Sequence, residues 1–309
     1  MQITIEPKKY NTYDCYQNNI ISVLGNYFKI DYRPFFWSGF DFRFLIDRSK
    51  EYINLTGYNT YQDQILSEQC GVKIKCINKT SLQQFKQIIL KELQDSKPIG
   101  FRLNGSDLRW SNNRNIDYHY ILIIGIDLLN SCLYCCDGFL SDEIQKVDII
   151  YIYEKVEYML TFCISECYEK SFILSREKFI ECLDHNNKRK NDDVLYFIDS
   201  VDELFEKMKG TDPNNNPIIF QLSRVCWSRY NFLKSLEYFY DNFGFKNSEY
   251  VIKYSNYAIE SWMKLKNLFI KAIIVGSIQQ VYKYGTDFIK VIIETETAIQ
   301  QYLEDAKPQ

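Results

Sequence analysis

The chain has 309 residues, 46% hydrophobic and 16% aromatic, and its 37 basic and 40 acidic side chains leave a net charge of −3. That balance gives no electrostatic reason to expect nucleic acid, no apolar run approaches a membrane span, and the opening MQITIEPKKY is too polar for a signal peptide. A cytoplasmic protein is therefore expected, with its ten cysteines kept as free thiols.

The first predicted element follows NTYDCYQNN, residues 11–19. A helix is expected from Cys15 to about Phe28, because Ile20, Val23, Leu24 and Tyr27 share one face at helical spacing. A cysteine at its head can be a small hydrophobe that happens to sit early. It can also be a nucleophile, since a helix N-terminus stabilises negative charge. Residues 32–45, YRPFFWSGFDFRFL, are aromatic and broken by Pro34 and Gly39. They suit an irregular segment that covers a core, or an apolar wall for an acyl or aryl group. LSEQCGVKIKCIN suggests a helix end, a cap at Gly71 and a strand. SLQQFKQIILKELQDSKP has the pattern of an amphipathic helix, PIGFRL that of a strand, and NGSDLRWSNNRNIDY is a polar loop leading to His119.

HYILIIGID and SCLYCCDG are rich in strand formers and predict a hairpin with its turn near Leu128–Asn130. The chain has only two histidines, His119 and His185, so the search for a base is short. His185, in LDHNNKRKNDD, suits a solvated loop. His119 opens a buried strand, either as a hydrogen-bonded strand-start residue or as the base that would activate Cys15. If Ile126 pairs with Asn130, His119 lies opposite Asp137 on one sheet face, and the carboxylate can orient the imidazole. A two-residue loop would turn Asp137 to the other face. Cys132, Cys135 and Cys136 lack a second cysteine pair or a histidine partner, and strand residues three apart face opposite ways. Buried thiols are expected there, with no metal.

Beyond about residue 160 the pattern changes. DELFEKMKG and the breaker TDPNNNP precede three long periodic segments near 218–242, 248–274 and 277–304, which predict an antiparallel helical bundle. Two domains follow, 1–165 and 166–309. The cluster Lys188, Arg189 and Lys190 suits a solvated loop, or a contact with an acidic partner.

The DC pair heading a helix, the strand KPIGFRL, HYILIIGID and CCDG together resemble the papain-like cysteine peptidase fold. The variant they resemble is the compact one of bacterial double-glycine leader peptidases. With the helical second half added, the order of elements is most similar to the butirosin biosynthesis acyltransferase family. The resemblance implies an α+β papain-like fold, with a Cys-bearing helix packed on an antiparallel sheet, followed by an α-helical bundle. It implies Cys15 as nucleophile, His119 as general base and Asp137 as its orienter. Such enzymes move acyl groups from carrier-protein thioesters to amines. The implied partners are an acyl or peptidyl carrier protein and a small-molecule amine, with the only cofactor, phosphopantetheine, carried by that partner. One position departs: the oxyanion-hole glutamine usual six residues before the cysteine is Lys9 here, and Asn11 is the nearest amide candidate. Acyl transfer is the favoured reading. Peptide hydrolysis by the same triad is the alternative, and a catalytically idle binding module the third.

Overall fold

A computed structural model of the chain describes residues 1–6, 14–37, 39, 42–47, 52–56, 67, 71–111, 116, 118–164, 177, 180–181, 192–213 and 216–305. The first helix is α1 (Cys15–Val23), capped by Asp14. The Asp14 carboxylate accepts from the Gln17 N–H at 2.9 Å, and the Gln17 side chain accepts from the Asp14 N–H at 3.1 Å. This reciprocal pair satisfies two donors that a helix start leaves without partners. A π-helical turn, Leu24–Phe28, carries the path onward and ends on left-handed Lys29. The helical path thus reaches Phe28, as the periodicity predicts, with a change of hydrogen bonding after Val23.

Next come β1 (Arg43–Asp47), β2 (Tyr52–Thr56), β3 (Val72–Asn78) and α2 (Leu82–Gln94), then β4 (Ile99–Leu103), β5 (His119–Asp127), β6 (Cys132–Cys136) and β7 (Gln145–Asp148). After α3 (Ile149–Lys155) and β8 (Tyr158–Ile164) come, among the described residues, the helices α4 (Asp192–Asp199), α5 (Val201–Met208), α6 (Pro217–Phe243), α7 (Ser248–Val275) and α8 (Thr286–Asp305). Six strands form an antiparallel sheet in the order β3-β8-β4-β5-β6-β7. The chain is therefore a mixed α+β protein. Among the described residues, no helix is long and apolar enough to cross a membrane.

Contacts divide the chain into two units, Met1–Tyr32 with Asp63–Phe172, and Arg33–Gln62 with Ile173–Gln309. In the first, Phe85, Ile89 and Leu93 of α2 form a stripe that packs with Ile99, Phe101, Ile121, Ile123 and Met159 of the sheet. Burying each such side chain is worth about 1.5–3 kcal/mol, which is what holds the amphipathic helix in place.

The second unit departs from the single cut expected after residue 165, because it takes 33–62 out of the first half. Phe42, Phe44, Ile53 and Leu55 share its core with Leu222, Trp262 and Phe269. The chain also runs close against α6 at Gly39, where a Cβ would lie 2.3 Å from the Ser228 carbonyl oxygen. The Ser235 hydroxyl donates to the Arg33 carbonyl at 2.6 Å. The described part of the aromatic stretch therefore covers a core, that of the helical unit. The three long helices fall where the periodicity predicts them.

The β5–β6 hairpin corrects the expected register. Asp127 pairs with Cys132, so the loop 128–131 has four residues and Ile126 pairs with Leu133, not Asn130. The Asp127 carboxylate accepts from the Asn130 backbone at 3.1 Å and side chain at 2.7 Å, which fixes this turn. Continued unbroken, that register would set Asp137 opposite Leu122, on the face away from His119. A bulge between Ile123 and Gly125 absorbs one residue, and beyond it Leu122 pairs with Cys136. Asp137, one residue further, then comes opposite Ile121, on the face of His119.

Candidate active site

Cys15 is the first residue of α1, and α1 packs against β5, the strand that His119 opens. The Cys15 Sγ lies 3.9 Å from the Tyr118 carbonyl oxygen, beside that strand start. His119 and Asp137 are fully buried. Their side chains meet through His119 Nε2 and Asp137 Oδ2 at 2.8 Å. This leaves Nδ1 as the ring nitrogen available to the Cys15 thiol, and among the described residues it has no other hydrogen-bond partner.

Four protein donors converge on Asp137. Oδ2 accepts from His119 and from Trp110 Nε1 at 2.7 Å, and Oδ1 accepts from the backbone N–H groups of Phe139 and Leu140, each at 3.1 Å. Burial works against the carboxylate, but the His119 hydrogen bond and charge, with Trp110 and Leu140, hold its pKa below the usual value. Burial likewise opposes charge on His119. The hydrogen bonds and charges of Asp137 and Cys15 outweigh it and push the imidazole up to about 9. A ring that keeps its proton at neutral pH can sustain a thiolate beside it and later deliver that proton to a leaving group.

Trp110 is the site residue that sequence reasoning missed. It sits in 104–118, read as a polar loop, on a single 3-10 turn Arg109–Ser111. Its signal was an indole among polar neighbours, a side chain that usually seeks a hydrogen-bond acceptor when buried. The expected oxyanion amide, Asn11, lies outside the described residues, as do Lys9, His185 and 188–190. Cys132, Cys135 and Cys136 are buried thiols, and burial pushes the pKa of Cys135 and Cys136 up, Cys136 to about 12. Among the described residues, no group of three His, Cys, Asp or Glu side chains could hold a metal ion.

A groove of about 900 Å³ is lined by Tyr16, Tyr120, Tyr158 and Leu160, with Lys73 and Lys75 also among its walls. Tyr16 follows Cys15 and Tyr120 follows His119, so both catalytic candidates hand their next residue to the groove. No family model and no curated protein matches the chain.

Proposed function

We propose that the chain is a cysteine acyltransferase of papain-like fold, related to the butirosin biosynthesis acyltransferases, that moves an acyl group from a carrier-protein thioester to an amine in secondary-metabolite biosynthesis. The observation that carries this reading is the buried His119–Asp137 pair beside a thiol at a capped helix start. In the forward half, the Cys15 sulfur attacks the thioester carbonyl, and the departing thiol of the carrier's phosphopantetheine arm takes the proton from His119. In the second half, an amine attacks the acyl-Cys15 carbonyl and gives its proton to the imidazole as the Cys15 sulfur leaves. Asp137 keeps the ring oriented and its charge compensated throughout. The long helical second half favours transfer over hydrolysis, since the compact leader peptidases lack it. Amide formation also requires the amine to be positioned ahead of water, and positioning can supply effective molarities of about 10⁵ M or more.

Intact-protein mass spectrometry tests the reading. Mixing the chain with acyl-loaded carrier protein should add the acyl mass to Cys15, and Cys15→Ala should remove that increment. Addition of the amine should then discharge the adduct as amide in excess over free acid. Free acid released with or without amine, together with cleavage of peptides, would make the chain a peptidase instead. A chain that never acquires the adduct would overturn both readings.

A further inference from the structure

Asp137 is held by more than its contact with His119. A carboxylate offers about four lone-pair sites, and four donors fill them, two on each oxygen. Those on Oδ1 come from its own turn, the Phe139 and Leu140 N–H groups, and one on Oδ2 is His119. The fourth is Trp110 Nε1, which reaches Oδ2 at 2.7 Å from the connection between β4 and β5. We infer that Trp110 is a positioning residue of this site: its indole N–H pins Asp137 Oδ2 against His119 Nε2 and so keeps Nδ1 of the ring turned to Cys15. The inference rests on the acyl-transfer reading for the role of Cys15, and adds a residue to the three which that reading uses.

Three observations carry it. First, an indole can only donate. An amide or hydroxyl at this place could turn and offer a lone pair, whereas Trp110 fixes the oxygen as an acceptor. Second, the connection that carries Trp110 is itself fastened. Beside the indole, Leu108 and Ser111 are buried. The Tyr151 hydroxyl of α3 donates to the Asp107 carbonyl at 2.5 Å, and Lys155 of α3 pairs with the Asp107 carboxylate at 3.1 Å. The same connection runs so close to the strand start that a Cβ on Gly105 would lie 3.0 Å from the His119 Cβ. The indole is therefore aimed by its surroundings.

Third, Trp110 and His119 share one oxygen. An oxygen that already accepts from an indole is a weaker base towards a second proton, so the Nε2 proton stays on the ring. A proton arriving on Asp137 would have to displace a donor. Burial opposes the charge on Asp137, and the His119 hydrogen bond and charge, followed by the Trp110 hydrogen bond, hold its pKa below the usual value. Cys135 and Cys136 also act on this carboxylate by charge, and burial keeps both thiols protonated. Asp107 is engaged by Lys155, and Arg109 lies 5.8 Å from the centre of the Tyr151 ring. His119 from β5, with Cys15 of α1 behind it, is thus the charged partner that Asp137 meets.

Trp110→Phe keeps an aromatic ring and removes the donor. Alkylation of Cys15 by iodoacetamide, followed against pH by peptide mapping, reads the state of the site without requiring acyl transfer. With one donor gone, Asp137 takes a proton at higher pH, so the acid limb of the profile should move to higher pH. At the foot of the wild-type limb the variant should react about 10-fold more slowly, and the two rates should converge as pH rises. Acylation by an N-acetylcysteamine thioester should lose maximal rate, with the thioester concentration at half-maximal rate unchanged, since the role acts through Asp137. Tyr151→Phe leaves every donor to Asp137 in place and loosens only the connection, so it should give a smaller shift in the same direction. Profiles that coincide in wild type and both variants would overturn the inference. So would a loss equal at every pH, the mark of a disturbed site. If Trp110→Phe fails to fold, the presence or absence of the acid shift in Tyr151→Phe decides. A wild-type chain that alkylates at Cys15 yet is never acylated would overturn the acyl-transfer reading, while the alkylation profiles still decide the role of Trp110.

Discussion

Burial by itself would strip the proton from His119, yet Asp137 and Cys15 hold it to about pH 9. The consequence for stability has a definite sign. A folded-state pKa above the ordinary 6.5 contributes stabilisation that is whole below that value and is lost as pH rises through about 9. Asp137 acts in the opposite sense: its lowered pKa contributes above the ordinary carboxylate range and is lost as pH falls through the lowered value. Thermal melting should therefore show an alkaline decline between roughly 6.5 and 9, and in Asp137→Asn that decline should be smaller and end at lower pH. The asparagine would also set its NH₂ against N–H donors on one side or the other, since all four contacts of Asp137 are donors. In an acyl-transfer assay His119→Ala should abolish turnover, and Asp137→Asn should reduce it by less than the roughly 10⁴-fold known for a peptidase triad, because a thioester is more electrophilic than an amide. Unchanged turnover in Asp137→Asn would remove that residue from the mechanism. Among the ten cysteines, Cys15 should react fastest with iodoacetamide at neutral pH, as burial holds Cys135 and Cys136 protonated. Peptide mapping that finds another cysteine labelled first would displace it as nucleophile. Cys15 and His119 were legible because a helix start and a two-histidine composition leave few choices. Trp110 was not, because a polar loop gives no hint of which acceptor an indole will find across the fold.

At the scale of the element, the hairpin shows how a right outcome can rest on a wrong register. Strand formers made both strands legible, and the period-2 rule showed that only one parity brings Asp137 to His119. The loop, however, has four residues, and the bulge at Ile124 restores the needed parity. Nothing local in HYILIIGID marks a bulge except Gly125, and its reason is non-local. The first residues of the chain run alongside: the Ile3 N–H donates to the Ile124 carbonyl at 2.7 Å, and the Ile126 N–H donates to the Met1 carbonyl at 2.8 Å. A Cβ on Gly125 would lie 2.9 Å from the Tyr134 ring and 3.0 Å from the Met1 carbonyl oxygen. Gly125→Ala should therefore cost about 1–3 kcal/mol, the range for overpacking, measured as a lower denaturant midpoint at unchanged slope. An unaltered midpoint would mean that the terminal segment yields freely. β8 escaped notice for a related reason: it pairs with β3 and β4, strands far back in the sequence, and a single strand inserted between them has no turn signal to announce it.

For the whole molecule, the long helices were legible from their period, but the division into units was not. A cut by composition assumes that each domain is one stretch of chain, whereas 33–62 joins the helical unit through contacts that no local pattern encodes. One polar device inside that unit explains part of this capture. Arg229 on α6 and Glu296 on α8 meet at 2.7 Å, both essentially buried, and Trp262 Nε1 on α7 donates to the same Glu296 oxygen at 2.9 Å. Arg229 Nη1 also donates to the Gly39 carbonyl at 3.0 Å, so the ion pair holds three helices and the returning segment together. Taking two charges from water costs several kcal/mol per ion, so such a pair adds little net stability, but leaving one partner alone is expensive. Glu296→Leu should therefore destabilise the chain by about 3–5 kcal/mol in urea titration, and the double variant Arg229→Met, Glu296→Leu should recover most of that loss. Recovery has a limit set by Gly39. Methionine cannot donate to the Gly39 carbonyl, so if that anchor is what keeps 33–62 in place, the double variant should regain stability yet show faster proteolytic cleavage within 33–62. A double variant as unstable as Glu296→Leu would show that the network contributes more than charge compensation. Full recovery with no added cleavage would show that the apolar contacts of Phe42, Phe44 and Leu55 hold the segment by themselves.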